Sequence, residues 1–337
     1  MGVHRVNASR SGALRALHGG PDWRPALEGA LDGVAPGAPF CLMVHGYRYT
    51  WRPLASDCAC PHARLFLDRP VAAEARCRPS RAAWPEALGY AGAGRAAGLA
   101  IGFGWEARAP LLGGFAQVYA RAARAGAGLA RLAAAIAERR PDLTLDMLTH
   151  SLGARVALSA MARRPGLPWG RVVCLGAAEY AGPAGAAMGR LAAAGSGACV
   201  YHVLSRANDP YDAAFARLAP REIPGDRPLG CAGLGPGRAD WIDIQLDHPR
   251  TAAWLAQRGM ALSRLGERVS HWHFYADPGA MAFYRRLLRR APGTAPAELR
   301  AAGLPETPEP RWSRLLPRPR LAFPDAPEAA PRPAALR

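Results

Sequence analysis

Apolar residues in this chain gather into short unbroken runs separated by longer stretches with helical spacing. The runs are PFCLMVHGY (39–47), GLAIGFGW (98–105), LTLDMLTHS (143–151), RVVCLGAAEY (171–180) and ACVYHVLSRAND (198–209). Continuous rather than alternating hydrophobicity fits strands covered on both faces. In the longest intervening stretch, about 112–138, Leu, Ala, Val and Ile recur every three or four residues, the spacing of one buried helix face. This alternation predicts an α/β fold, with a mostly parallel sheet flanked by helices on both faces.

Two segments break the rhythm. Residues 48–97 are rich in Arg, Pro, Ala and Cys and read as a long insertion after the first strand, a candidate lid. Residues 291–337 hold 11 of the 32 prolines and seven Arg against five acids. Proline at that density opposes long helices and central strands, so an extended or disordered Pro-rich tail is expected there. The expected organisation is one domain over 1–290 followed by that tail, with no internal repeat.

Composition narrows the chemistry. At 337 residues and 50% hydrophobic, the chain can bury a large core. Seven scattered cysteines argue against a disulfide framework and for a reducing compartment. No uninterrupted apolar window is long enough to span a bilayer, and the first residues lack a secretion signal, so a cytoplasmic protein is expected. The net charge is +17, which favours weak contact with anionic surfaces. All 43 basic residues are arginine, spread along helices without a recognition motif, so no specific nucleic-acid partner is expected. The absence of lysine from residues 1–337 excludes Schiff-base, P-loop lysine and Ser-Lys chemistry.

Against that background, TLDMLTHSLGARVALSAM (144–161) places a serine where an apolar strand turns directly into a helix. A tight strand-to-helix turn lifts a serine hydroxyl out of the sheet edge, and small residues on either side relieve its crowding. The pattern here is Thr149-His150-Ser151-Leu152-Gly153: the later glycine is present, and threonine replaces the earlier one. The alternative role for Ser151 is a helix cap.

A nucleophilic serine needs a base and a group that orients it. Asp209, in the Asn-Asp-Pro turn after the fifth run, is the expected acid. Asp212, Glu179 and, more weakly, Asp247 are alternatives. Downstream, ERVSHWHFYADPG (267–279) supplies His271 as the expected base and His273 as its alternative, both pointing one way if the segment is a strand. The tetrahedral oxygen needs N–H donors. Leu152 supplies one, and Tyr47, in the loop that Gly46 opens, supplies the other. His45 is expected to brace that loop.

These motifs together, VHGY, GFGW, THSLGARVAL, SRANDPYD and SHWHFY, resemble the α/β-hydrolase superfamily over about 39–290. They are most similar to poorly characterised bacterial serine-hydrolase-like members that carry HSLG. The resemblance implies an eight-stranded or slightly reduced mostly parallel sheet, a Ser151–His271–Asp209 triad with Tyr47 and Leu152 as oxyanion donors, and no cofactor. The expected activity is that of a serine hydrolase on a small-molecule ester or thioester. The competing expectation is a non-catalytic protein of this fold that binds an anionic partner through its arginines. DCACPH (57–62) lacks the paired spacing of a zinc site, so no metal is expected. Trp105 and Glu106 are expected to shape the pocket or pack in the core.

Overall fold

The computed structural model describes residues 3–17, 20–51, 60–66, 83–90 and 97–315. Its strands are β1 (Val3–Ala8), β2 (Leu14–Arg15), β3 (Phe40–Val44), β4 (Leu99–Trp105), β5 (Leu145–His150), β6 (Trp169–Leu175), β7 (Cys199–Leu204) and β8 (Trp241–Gln245). The helices are α1 (Arg24–Asp32), α2 (Pro61–Arg64), α3 (Trp84–Ala87), α4 (Leu111–Arg139), α5 (Gly153–Arg163) and α6 (Ala181–Ala193). They continue with α7 (Asp209–Leu218), α8 (Leu229–Ala232), α9 (Pro249–Ala256), α10 (His273–Ala276), α11 (Pro278–Leu288) and α12 (Pro296–Ala301).

The strands form one eight-stranded sheet in the order β2-β1-β4-β3-β5-β6-β7-β8. Only β1–β2 is antiparallel. The central strands β3 (FCLMV), β4 (LAIGFGW) and β5 are buried along their whole length, and β6 and β7 at every position but one. Successive side chains therefore feed two cores. Leu42, Val44, Ile101, Phe103, Met147 and Val172 meet Leu132 and Ile136 of α4, Val156 of α5 and Met188 of α6. On the other face, Met43, Leu148, Val173, Tyr201 and Ile242 meet Trp84 of α3, Leu255 of α9 and Phe283 and Leu287 of α11.

This layering locates the crevice. The chain leaving β3 runs to α2 and α3; Leu65 and Phe66, just after α2, and Trp84 of α3 lie in the second core. The chain leaving neighbouring β5 runs to α5, in the first core. Two adjacent parallel strands whose continuations diverge to opposite faces leave an opening outside their carboxyl ends, where open α/β sheets bind ligands.

Three strands escape the hydrophobic-run reading. β1 (VHRVNA) and β8 (WIDIQ) are interrupted by polar residues, and β2 has two residues. The polar side chains of β8 are buried because they are bonded. Asp243 accepts from Trp241 Nε1 at 2.8 Å and pairs with His202 Nδ1 at 2.8 Å. Gln245 bonds Asp247.

The tail is more ordered than its prolines imply. Residues 296–301 form α12, and the following segment straps the carboxyl ends of β7 and β8. Glu309 N–H donates to Gln245 Oε1 at 2.7 Å, Trp312 N–H to Asp209 Oδ2 at 2.6 Å, and Arg314 Nε to Asp247 Oδ2 at 3.0 Å. The extended or disordered expectation for 291–337 is thus corrected over 291–315, where buried carboxylates hold the chain. Residues 316–337 lie outside the described residues, as do most of the 48–97 insertion and its lid reading. Among the described residues, no helix is long and apolar enough to cross a membrane.

Candidate active site

Ser151 stands at the corner between β5 and α5 with φ +54°. The left-handed region costs a non-glycine residue roughly 1 kcal/mol or more. The strain is held in place by bonds on both sides. Ser151 N–H donates to Leu175 O at 2.9 Å, and Ser151 O accepts from Ala154 N–H at 3.0 Å and Ala178 N–H at 3.1 Å. Two glycines make room for the corner. A Cβ on Gly153 would come within 2.5 Å of Val44 O, and one on Gly46 within 2.7 Å of Ser151 Cβ. Thr149 does not prevent the turn, since it remains in β5 between Val44 and Cys174. Its position lies within the regular strand, so the glycine of the usual pattern is not needed there.

The loop after β3 faces this corner across the crevice and is tightly braced. His45 Nε2 accepts from Trp105 N–H at 3.0 Å, and His45 O accepts from Trp105 Nε1 at 2.9 Å. The remaining ring nitrogen, Nδ1, therefore carries the proton and donates to Gly46 O at 2.9 Å. Burial pushes His45 down to about 3, so its ring is a neutral brace stacked on Trp105. Trp105 is core, 1% exposed. Glu106 is likewise buried and accepts from Thr50 Oγ1 at 3.0 Å. Tyr47 is pinned by its hydroxyl on Ala109 O and its ring on Phe115. The backbone N–H groups of Tyr47 and Leu152 have no backbone acceptor among the described residues, which leaves both with donor capacity beside the serine.

His150 links the nucleophile corner to the downstream histidine. Its Nε2–H donates to His271 O at 3.0 Å, and the two rings lie 4.5 Å apart. Burial lowers His150 to about 4, so this tie is neutral. The His271 ring stacks on Tyr211 at 4.7 Å and places Nδ1 2.7 Å from Asn208 Oδ1. An amide oxygen only accepts, so Nδ1 holds the proton and Nε2 keeps its lone pair. That is the tautomer a general base requires. His271 sits well below the usual histidine range, chiefly from burial and then from His150 and His273. No hydrogen bond joins the Ser151 hydroxyl to the His271 ring.

The expected acid is elsewhere. β7 ends at Leu204, and the turn Arg206–Asn208 rotates the chain before α7 begins at Asp209. This rotation presents Asn208 to His271 and sends Asp209 inward. Asp209 is fully buried, accepts from Trp312 N–H, and lies 3.2 Å from Arg206 Nη1 and 3.8 Å from Arg311 Nε. Asp209 is thus corrected from orienting acid to strap anchor. Among the alternatives, Glu179 is taken up by Tyr119 Oη at 2.6 Å, Arg155 Nη1 at 2.7 Å and Tyr180 N–H at 2.8 Å. Asp247 receives Arg206 N–H, Gln245 Nε2 and Arg314 Nε. Asp212 reaches the site only through Asn208, at 3.1 Å.

The two downstream histidines diverge because 268–272 is a bend leading into α10, which holds His273, rather than a strand. His273 Nδ1 binds Ser270 O at 3.1 Å, away from Asn208. Asn208 and His150 are the two participants that the spacing argument missed. A signal for Asn208 existed, since Asn208 and Asp212 are four residues apart at a helix start. Of the metal-capable residues, Asp57 and Cys58 lie outside the described residues, and His62 binds Asn7 Oδ1 at 2.6 Å. Among the described residues, no group of three or more His, Cys, Asp or Glu is placed to hold a metal. A broad cavity lined by Thr144, Arg171, Tyr201 and Arg290 opens at the opposite, amino-terminal edge of the sheet.

No family model, curated protein or solved structure matches this chain.

Proposed function

We propose that this chain is a serine hydrolase of the α/β-hydrolase type that cleaves a carboxylic ester or thioester through an acyl-enzyme on Ser151. The observation that carries the reading is the strained Ser151 corner at the sheet's crevice, with a base-competent His271 tautomer tied to the adjacent residue. Arg48, Arg290 and Trp312 also take positive φ, but among these four Ser151 alone stands at a strand-to-helix corner at the sheet's carboxyl edge, where backbone strain accompanies reactive sites.

In the proposed cycle, His271 Nε2 takes the Ser151 proton as Oγ bonds to the substrate carbonyl carbon. The carbonyl π electrons move to oxygen, where Tyr47 and Leu152 N–H groups receive the negative charge. Each such donor contributes about 3 kcal/mol to the barrier reduction. Collapse expels the alcohol or thiol, which takes the proton from His271. Water then adds to the acyl carbon with His271 again as base, and the second collapse breaks the bond to Ser151 Oγ, which takes the proton back from His271 as the acid is released. Asn208 holds the ring through a neutral bond, so the imidazolium lacks direct carboxylate support.

The test is a panel of p-nitrophenyl esters and thioesters of rising chain length against wild type, Ser151→Ala and His271→Ala. The reading predicts turnover in wild type and loss in both variants at unchanged melting temperature. Equal background rates in all three would leave the non-catalytic, anion-binding reading in its place.

A further inference from the structure

Asp212 is a buried carboxylate, 4% exposed, that touches neither the serine nor the histidine. Its Oδ1 accepts from Asn208 Nδ2 at 3.1 Å, while Asn208 Oδ1 faces His271 Nδ1 at 2.7 Å. The pair sits four residues apart at the start of α7, on one helix face. An amide presents a donor on one side and an acceptor on the other, and an ionised carboxylate accepts only. Contact with Asp212 therefore turns the amide nitrogen inward and the oxygen toward the base. An amide turned the other way would offer N–H to Nδ1, move the ring proton to Nε2 and remove the lone pair that must receive the serine proton.

We propose that Asp212 is a positioning residue that sets the His271 tautomer by fixing the orientation of Asn208. The kinetic part of this inference rests on the serine-hydrolase reading, and the tautomer part does not. The surroundings fit closely around this carboxyl group. Gly230 passes so close that a Cβ there would lie 2.2 Å from Asp212 Oδ2. Arg206 donates to Gly230 O at 2.6 Å. Burial, aided by Asp209, raises Asp212 to about 7 against the opposing pull of Arg206, Arg311 and the Asn208 hydrogen bond, so the ionised form prevails above neutrality. Cys231, on the neighbouring short helix, feels the same four charges.

The experiment is heteronuclear NMR of nitrogen-labelled histidine in the full chain, with His271 assigned by its own substitution, at about pH 8.5, where Asp212 is ionised. Asp212→Ala and the isosteric Asp212→Asn are compared with wild type, alongside ester kinetics. Wild type is expected to show one tautomer, protonated on Nδ1. Asp212→Asn, able to offer either oxygen or nitrogen, is expected to show both tautomers, and Asp212→Ala a larger Nε2–H share. kcat should fall roughly tenfold or more in the alanine variant with little change in KM. An unchanged Nδ1–H tautomer in the isosteric variant, or a wild-type ring protonated on Nε2, overturns the inference, even if Asp212→Ala fails to fold. Tautomer shifts in an enzyme inert toward esters would refute the hydrolase reading alone, and Ser151-dependent turnover without them would refute this inference alone.

Discussion

Replacing Asn208 with aspartate puts a carboxylate where the structure now has an amide oxygen, 2.7 Å from His271 Nδ1. An opposite charge at that range shifts a pKa by about 1–3 units toward the charged form. The new carboxylate would also stand about where Asn208 Nδ2 meets Asp212 Oδ1, at 3.1 Å. Two carboxylates that close cannot both ionise, so the pair holds one negative charge, and part of the gain is lost. The lower half of the range follows: His271 should rise by about 1–2 units, or about 1.4–2.7 kcal/mol at 1.36 kcal/mol per unit. The sign is upward because the charge stabilises imidazolium. The acidic limb of kcat/KM, expected well below 6.5 in wild type because His271 is lowered by burial, should therefore move toward neutrality, since the base must be unprotonated to act. The assay is a pH–rate profile on a p-nitrophenyl ester with an NMR titration of His271 in the same variant. Asp209→Asn is the control, because Asp209 bonds Trp312 and not His271. A limb that moves with Asp209→Asn and stays still with Asn208→Asp would refute the assignment of Asn208 as the orienting group.

Three further outcomes follow from the same geometry. Ser151→Gly should be about 1 kcal/mol more stable than Ser151→Ala, because only glycine accepts φ +54° without strain; paired denaturant titrations measure it. Stability should fall with acid between pH 6.5 and about 4, where the unfolded chain takes up protons that buried His150 refuses. Above 6.5 both states are neutral and the effect is fully retained. The drop from 6.5 to about 4 sets a limit of about 3 kcal/mol for this one residue, and His150→Phe should flatten the melting-temperature profile over that window. Asp209→Ala should cost about 3–5 kcal/mol, since it leaves fully buried Arg206 without its carboxylate and releases Trp312 N–H; thermal melting reads the loss.

The layers of the fold were legible because central strands in a parallel sheet are apolar throughout, as FCLMV and LAIGFGW show. The edge strands were not, because β8 buries Asp243 and Gln245 by pairing them with Trp241, His202 and Asp247, contacts that hydropathy does not register. The serine corner could be read from its strand, its helix and Gly153, whose Cβ would strike Val44 O. The orienting residue could not be read from spacing alone. Asn208 and Asp209 are adjacent, and one short turn decides which of them faces His271. The tail misled for a related reason: proline excludes regular structure but does not prevent Glu309, Trp312 and Arg314 from docking on buried polar groups.

Whether the Ser151 hydroxyl is activated decides the account most directly. Wild type, Ser151→Ala and His271→Ala would be incubated with a fluorophosphonate probe and the adduct mapped by peptide mass spectrometry. The account predicts one adduct on Ser151 in wild type, none in Ser151→Ala, and much slower labelling in His271→Ala. An unlabelled wild type, or labelling as fast without His271 as with it, would contradict it.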